Sequence, residues 1–456
     1  MNKVAPARQV AFDVLRAVNE SDAYANLLLP KSIERAGLST ADAALATELT
    51  YGTLRRQGTY DAVIAIAADR SIPDIDPAVL DALRLGVHQL QSTRVASHAA
   101  VNESVELARS VGGRGASGFA NAVLRRVSRD NPGDWMTRVS DSARSDDERL
   151  GLLFSHPVWI VRAFRRALAA EGRAEELEAL LAADNSAPRV TMAALPGLAS
   201  LPEDSRHTPF SPFGFRLGGG DPESVIRAAD GRVRVQDEGS QLAALALTRA
   251  LPVREGERWL DLCAGPGGKT AMLAAEALKH GATLDANEIS PARAGLVRQA
   301  IAGVPLGVTV SEEDGRTLAS KSSDTYDRIL VDAPCTGLGA LRRRPEARWR
   351  KTPGDVPELT ALQTELLSTA VSALRPGGVV AYITCSPHLA ETAGVVAEVQ
   401  REWGDAIVEL SARDVVTKLS SSDPELLTQS DGTARAQLWP HRHNTDAMSI
   451  SLLQRV

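Results

Sequence analysis

The sequence predicts an α/β chain in three consecutive pieces: an all-helical domain over residues 1–135, a small α/β linking domain over 145–235, and a parallel, doubly wound sheet domain over 236–456. Three observations carry this reading. In the first part apolar residues recur at helical spacing: Val10, Val14 and Val18, then Leu80, Leu83, Val87 and Leu90, then Val101, Val105 and Ala108. The segment RDNPGDW (129–135) supplies Asn-Pro and Pro-Gly turn signals and reads as the break after this bundle. Beyond residue 236 the apolar runs ERWLDLCA, ATLDANE, LGVTVSE, YDRILVDA and GGVVAYITC alternate with the helical patterns AMLAAEALK, PARAGLVRQAI and ELTALQTELLSTAVSAL, as βαβ units do. In the linking region VWIVRAFRRALAA and EELEALLAA read as helices, and SAPRVTMAALPG and SPFGFRLGGG as short, interrupted segments.

Composition narrows the classes further. With 44% apolar and 24% charged residues, the 456-residue chain is able to bury several cores. No uninterrupted apolar run approaches the roughly 20 residues of a membrane span, and the opening MNKVAPARQVAFDV lacks the apolar core of a secretory signal. A cytoplasmic protein without a membrane partner is expected. Three cysteines, Cys263, Cys335 and Cys385, cannot build a disulfide framework, and they show neither CxxC nor His-rich spacing, so no metal is expected. A net charge of −6 excludes a uniformly basic nucleic-acid coat but leaves room for local basic patches.

In doubly wound sheets ligands bind beyond the carboxyl ends of the strands. The sequence places DLCAGPGGKT (261–270), Glu288, Asp314, DAPC (332–335) and Cys385 there. In the first of these loops Gly265, Gly267 and Gly268 permit a sharp turn and close approach to a ligand, and the following helix offers its N-terminal amides. The spacing is neither the GxGxxG of dinucleotide sites nor the GxxxxGK[ST] of phosphate loops. A carboxylate at Glu288 suits paired ribose hydroxyls, and one at Asp314 suits an adenine amino group. Singly, each acid reads more readily as a solvated strand-end residue than as a ligand. Together they fit a nucleoside-bearing cofactor with no phosphate requirement.

At this point a resemblance becomes specific. The stretches DLCAGPGGKT, DAPCTGLGALRRRPEARW and YITCS resemble the S-adenosylmethionine-dependent RNA cytosine-5 methyltransferases of the RsmB/NOP-type superfamily, as does QDEGSQLAALAL (236–247), where the last domain begins. ARQVAFDVL, ELTYGTLRR, HAAVNESVELAR and GFANAVLRRVSR resemble a NusB-type helical RNA-binding domain. The pairing covers most of the chain. It implies a Rossmann-like class I methyltransferase domain preceded by a NusB-like domain. S-adenosylmethionine would be held by Cys263, Ala264, Gly265, Pro266, Gly267, Gly268, Lys269, Glu288, Asp314 and Asp332. The implied partner is RNA, 16S ribosomal RNA before others, naked or in an assembly intermediate, met by a monomeric enzyme.

The implied chemistry explains the cysteines. Carbon 5 of cytosine is too poor a nucleophile to take a methyl group from a sulfonium, so a thiolate is first added at carbon 6. Loss of the carbon-5 proton and release of the thiolate then need acid–base help. By the resemblance Cys385, in TCS, is the nucleophile, Cys335 assists release, and Asp332 hydrogen-bonds the base near its ring nitrogen. Cys263 is expected to serve only in packing or a backbone contact. From Leu341 to Lys351 run six basic residues and one acid. Here Arg342, Arg343, Arg344 and Arg348 are expected at phosphates and Trp349 on a splayed base, with a solvated helix face as the plainer alternative. After Cys385 the segment SPHLAET matches the family's acidic element only at Glu391, and WPHRHNTDAMSI keeps its Asp at Asp446. A transfer-RNA cytosine-5 methyltransferase and a non-catalytic RNA-binding or assembly factor are the alternatives. A nicotinamide oxidoreductase is disfavoured by the glycine spacing.

Overall fold

The structure, a computed structural model, describes residues 4–21 and 23–456; the first three residues of the opening MNKVAPARQVAFDV and Asp22 lie outside the described residues. The chain divides into two compact units. One comprises Met1–Arg162, Leu181–Ala187 and Leu341–Lys351, and the other Ala163–Leu180, Pro188–Ala340 and Thr352–Val456. The first unit therefore takes in a short segment from deep within the region expected to be one continuous sheet domain.

The first unit is helical, as its periodicity requires. Val10, Val14, Val18, Leu80, Leu83, Val87 and Val101 all enter one core. Helices Thr40–Arg55, Pro77–Ser92, Pro132–Asp141 and Asp146–Phe154 start at Ser39, Asp76, Asn131 and Ser145, whose side chains accept the first free backbone N–H groups. One expectation is corrected here. RDNPGDW does not break the bundle: Asn131 caps a further helix with Pro132 at its first position, and Trp135 and Val139 pack into the same core. Asn-Pro is a turn signal and a helix-start signal alike, and burial of Trp135, whose Nε1 donates to Val127 O at 3.0 Å, decides between them.

In the second unit β1 (Thr191–Ala194), β2 (Arg206–His207), β3 (Gly214–Arg216) and β4 (Val233–Val235) form a small antiparallel sheet in the order β2-β3-β1-β4. The larger sheet comprises β5 (Arg258–Asp261), β6 (Thr283–Asn287), β7 (Thr309–Ser311), β8 (Tyr326–Asp332), β9 (Leu374–Thr384), β10 (Ile407–Leu410), β11 (Ala436–Gln437) and β12 (Ser449–Arg455). Its order is β10-β12-β9-β8-β5-β6-β7, with β11 on β12. Pairings among β5 to β9 are parallel, whereas β12 runs antiparallel to β9, β10 and β11. The sheet is mixed, not wholly parallel. No crossover helix marks β12 as part of a βαβ unit, so the alternation that revealed the other strands could not reveal it.

Both faces of the large sheet are covered. Trp259, Leu330, Val379, Ala381 and Ile383 pack on one side, and Leu260, Ile329, Val331, Val380 and Tyr382 on the other. This is why the strands read as continuous apolar runs and not as alternating ones. Strand order reverses where β5 lies between β6 and β8. At such a switch point the carboxyl ends of the strands open a crevice. Among the described residues no helix is long and apolar enough to cross a membrane.

Candidate active site

At the end of β5 the chain turns through the glycine loop into helix Gly268–His280. Gly267 adopts φ 103°, and a Cβ there would stand 2.5 Å from the Ala300 Cβ and 2.8 Å from the Val297 Cα, so only glycine lets the loop lie on helix Pro291–Ile301. At Gly265 a Cβ would fall 2.2 Å from Glu288 Oε2. The Gly265 amide instead donates to that oxygen at 3.1 Å, while Glu288 Oε1 accepts from Ser290 N at 2.9 Å and Arg293 Nη2 at 2.6 Å. The loop and Glu288 are thus brought together. Asp314 follows Glu313, whose backbone is tied through the Asn287 amide to Leu262 O in the same loop. It caps helix Gly315–Ser320 and is gripped by Arg316, which holds its carboxyl below the usual carboxylate range.

Beneath the loop, Asp261 accepts from Thr270 Oγ1 at 2.7 Å through Oδ2, while Oδ1 has no partner among the described residues. Burial pushes its carboxyl up to about 7. Lys269 donates to Asp332 Oδ2 at 2.7 Å. Burial opposes the charge on Lys269, but the Asp332 carboxylate outweighs it and holds the ammonium above its ordinary value. The donor set answers what such a loop is able to hold. Glu288 pairs with Arg293, Asp314 with Arg316 and Asp332 with Lys269, so these residues offer carboxylate acceptors for the hydroxyl and amino groups of a nucleoside and hold no unpaired cation for a phosphate. The residues fit S-adenosylmethionine. Cys263 packs against the core that holds Leu262, and burial and then Asp261 push its thiol up.

The two remaining cysteines meet at the ends of neighbouring strands. Cys335 follows β8 and Cys385 follows β9, and their sulfurs lie 3.4 Å apart, each partly exposed. Their surroundings differ. Cys385 is pulled below the ordinary thiol value, first by the hydrogen bond from Cys335 and then by the Lys269 ammonium. Cys335 is raised, first by that same bond, then by burial and by the charges of Cys385 and Glu391. Either sulfur can donate across this contact, and of the two it is Cys385 whose surroundings favour the charged form and Cys335 whose surroundings oppose it.

What holds them there is Glu391, fully buried. Its Oε1 accepts from Thr336 N at 2.7 Å and Gln363 Nε2 at 3.2 Å, and its Oε2 from Thr336 Oγ1 at 2.5 Å and Ser386 Oγ at 2.7 Å. One carboxylate thus joins the residue after each cysteine. Gly339 adds a backbone clasp: its N–H donates to Cys385 O at 2.8 Å and its carbonyl accepts from Ala447 N at 2.9 Å. A Cβ at Gly339 would lie 2.0 Å from Ala447 O. Sequence reading noticed Glu391 and Asp446 without giving them work. Two of the Glu391 partners, Thr336 and Gln363, are distant in the chain, and the Asp446 N–H donates to Asp237 from the other end of the domain, so nothing local signals these contacts.

The arginine run requires a second correction. Leu341–Lys351 belongs to the first unit. Within it Arg348 is fully buried and donates to Arg55 O at 2.7 Å, Ser155 O at 3.1 Å, Asn185 Oδ1 at 2.8 Å and Asp184 O at 2.8 Å. Those three carbonyls stand at the C-terminal ends of helices Thr40–Arg55, Asp146–Phe154 and Leu177–Asp184. One guanidinium thus satisfies orphan carbonyls of three helices and opposes their dipoles. It is a structural hub, not a phosphate contact. Arg342 is buried too, and its carbonyl accepts from the Arg55 side chain. Arg343 and Arg344 are exposed, as is Trp349.

A glycine loop with carboxylate acceptors for a nucleoside, at the switch point of a largely parallel sheet, is the arrangement of an S-adenosylmethionine-dependent methyltransferase. Comparison with known proteins narrows this class. Residues 248–454 match the family described as 16S rRNA methyltransferase RsmB/F, and residues 5–129 match the NusB family. The Mycobacterium tuberculosis protein MT1451 is 48% identical, over 99% of this chain and 97% of its own. The ribosomal RNA small subunit methyltransferase B of Erwinia tasmaniensis is 31% identical, over 85% of this chain and 88% of its own. The solved structure of PH0851 superposes over 99% of both chains with a TM-score of 0.79 at 20% identity, a likeness of fold. The chain belongs to the RsmB/F family of methyltransferases and carries that family's catalytic domain behind a NusB domain.

Proposed function

We propose that this protein methylates carbon 5 of a cytosine in 16S ribosomal RNA through a transient covalent bond between Cys385 and the base. It does so as a cytoplasmic monomer on naked RNA or an assembly intermediate. The single observation that carries the reading is the thiol pair: two sulfurs 3.4 Å apart, one beside Lys269 and the other beside Glu391. S-adenosylmethionine, when bound, supplies the methyl group as an electrophile. The chain's own residues do the rest. Cys385 Sγ attacks carbon 6, and the electrons of the 5,6 double bond move to carbon 5, which becomes nucleophilic. Ring nitrogen 3, which carries no proton in the free base, gains basicity in the adduct and takes a proton from water; Asp332 then accepts from the new N–H, a bond the free base does not offer, and that proton returns to water when the double bond re-forms. After transfer the proton on carbon 5 leaves to a base, the double bond re-forms, and the Cys385 sulfur departs as thiolate. Cys335 stands within reach to assist this elimination.

The test is bisulfite sequencing of total RNA from cells with and without the gene. The proposal expects one 5-methylcytosine in 16S RNA to vanish with the gene. Loss of a transfer-RNA site alone, or no loss at all, would overturn it.

A further inference from the structure

The first unit holds a cavity of about 530 Å³ that the methyltransferase chemistry does not use, lined among others by Tyr24, Gln57, Glu346, Trp349, Arg350 and Lys351. We propose that it is a nucleotide pocket in which Glu346 reads the Watson–Crick edge of an unstacked guanine, Trp349 stacks on the base, and the surrounding cations take its phosphates. The proposal rests on the RNA methyltransferase reading for the nature of the polymer.

Three features point to this ligand. Glu346 is 4% exposed, its Oε2 has no hydrogen-bond partner among the described residues, and its Oε1 receives only a long contact from Ala25 N at 3.4 Å. A buried carboxylate oxygen without a donor is costly, so one placed on a cavity wall calls for a donor from the ligand. Trp349 is 39% exposed and held in place, because its six-membered ring rests on Gly58, where a Cβ would meet indole Cη2 at 2.5 Å. The third feature is charge. The guanidinium groups of Arg344 and Arg350 lie 5.8 and 5.0 Å from the centre of the Tyr24 ring, Arg350 is anchored by Val18 O and Ala23 O, and Lys351 follows. Cations with one aromatic platform are what single-stranded RNA requires.

The base follows from the acceptor. A carboxylate offers two oxygens and no proton. Guanine alone presents two parallel N–H donors, from nitrogen 1 and the 2-amino group, on one edge. Adenine and cytosine set a ring acceptor beside their single amino group, and uracil sets its one N–H between two carbonyls. The cavity also lies within the size range of small-molecule sites.

The test uses the full chain and fluorescent hexanucleotides of uridine carrying one central guanosine, inosine, adenosine or uridine, read by anisotropy. Tritium transfer from labelled S-adenosylmethionine to 16S RNA is measured on the same preparations. The proposal expects the guanosine oligomer to bind at least tenfold tighter than the uridine one, with inosine between them. Glu346→Gln should bring all four within about twofold while thermal melting is unchanged. Should Glu346→Gln fold poorly, Lys351→Ala is the second variant, expected to weaken all four oligomers alike and to lessen their salt dependence. A wild type that methylates RNA but binds the four oligomers equally, or a guanosine preference that survives Glu346→Gln, overturns the pocket and leaves the methyltransferase reading intact. A Glu346-dependent preference in a protein that transfers no methyl group to RNA supports the pocket and overturns that reading instead.

Discussion

Asp332 to Ala340 and Leu341 to Lys351 follow one another in the chain without interruption, yet they fold into different units. The first stretch carries chemistry that depends on residue type: a thiol, an acid, a glycine that must be glycine. Its meaning survives being read as text. The second carries charge, and the meaning of a charge depends on what folds around it. Arg343 and Arg344 remain in solvent, while Arg348 lies inside, tying off three helices. Two arginines a few positions apart thus have opposite fates, and composition cannot separate them.

The widest separation between these fates should appear in stability. Arg348→Ala strands the carbonyls of Arg55, Ser155 and Asp184 in the interior, and at about 1–3 kcal/mol for each buried acceptor left without a donor a loss of about 3–5 kcal/mol is expected. Calorimetry should show the helical unit melting early. Arg348→Lys should recover little, because an ammonium cannot reproduce the planar fork. An unchanged melting profile would mean that the buried guanidinium is not a hub.

On the other side of the boundary, Glu391→Gln should act through geometry. It keeps the shape but gives up one acceptor oxygen, so one of the contacts from Thr336 and Ser386 fails. A charged hydrogen bond is worth about 1.5–3 kcal/mol, which predicts a fall in kcat of roughly ten- to hundredfold with KM for S-adenosylmethionine unchanged. Equal losses in both constants would indicate a folding defect and not a positioning role.

Smaller again is the effect on the pH profile. The Cys385 thiolate is favoured by the hydrogen bond from Cys335 and by Lys269, so its alkylation by iodoacetamide should rise at a pH below that of an ordinary thiol. Removing a stabiliser of the charged form raises the pKa. In Lys269→Met the alkylation profile should therefore move to higher pH, followed by mass spectrometry to separate Cys385 from Cys263. A profile that stays in place would show that Lys269 does not act on the sulfur.

The smallest effect is expected at the exposed arginines. Arg343→Ala and Arg344→Ala should change stability by less than about 0.5 kcal/mol. Each should flatten the salt dependence of RNA binding by roughly 0.7 to 0.9 of a unit of slope. An unaltered slope would leave these two as solvated residues.

Much of the fold was legible because its elements announce themselves locally. YDRILVDA and GGVVAYITC are continuous apolar runs because both faces of their strands are covered, and the stripes of the first unit match its core. SISLLQR, in contrast, enters as an antiparallel strand without a crossover helix. RDNPGDW uses the same letters for a helix start as for a linker. At the site, the loop, Lys269, Asp332 and both thiols could be named from motifs. The role of Glu391 could not, since joining the two cysteine loops requires Thr336 and Gln363, distant in sequence, as well as the nearby Ser386.

The central claim, that Cys385 attacks and Cys335 releases, is tested most directly by trapping the adduct. Each variant is incubated with substrate RNA and S-adenosylmethionine and run on a denaturing gel, where a protein–RNA band that survives heat and detergent reports the covalent bond. Cys335→Ala should accumulate that band, because attack and methylation proceed and release fails. Cys385→Ala and the double variant should show neither band nor methyl transfer. A band with Cys385→Ala and none with Cys335→Ala would reverse the roles, and methyl transfer surviving Cys385→Ala would contradict the covalent account altogether.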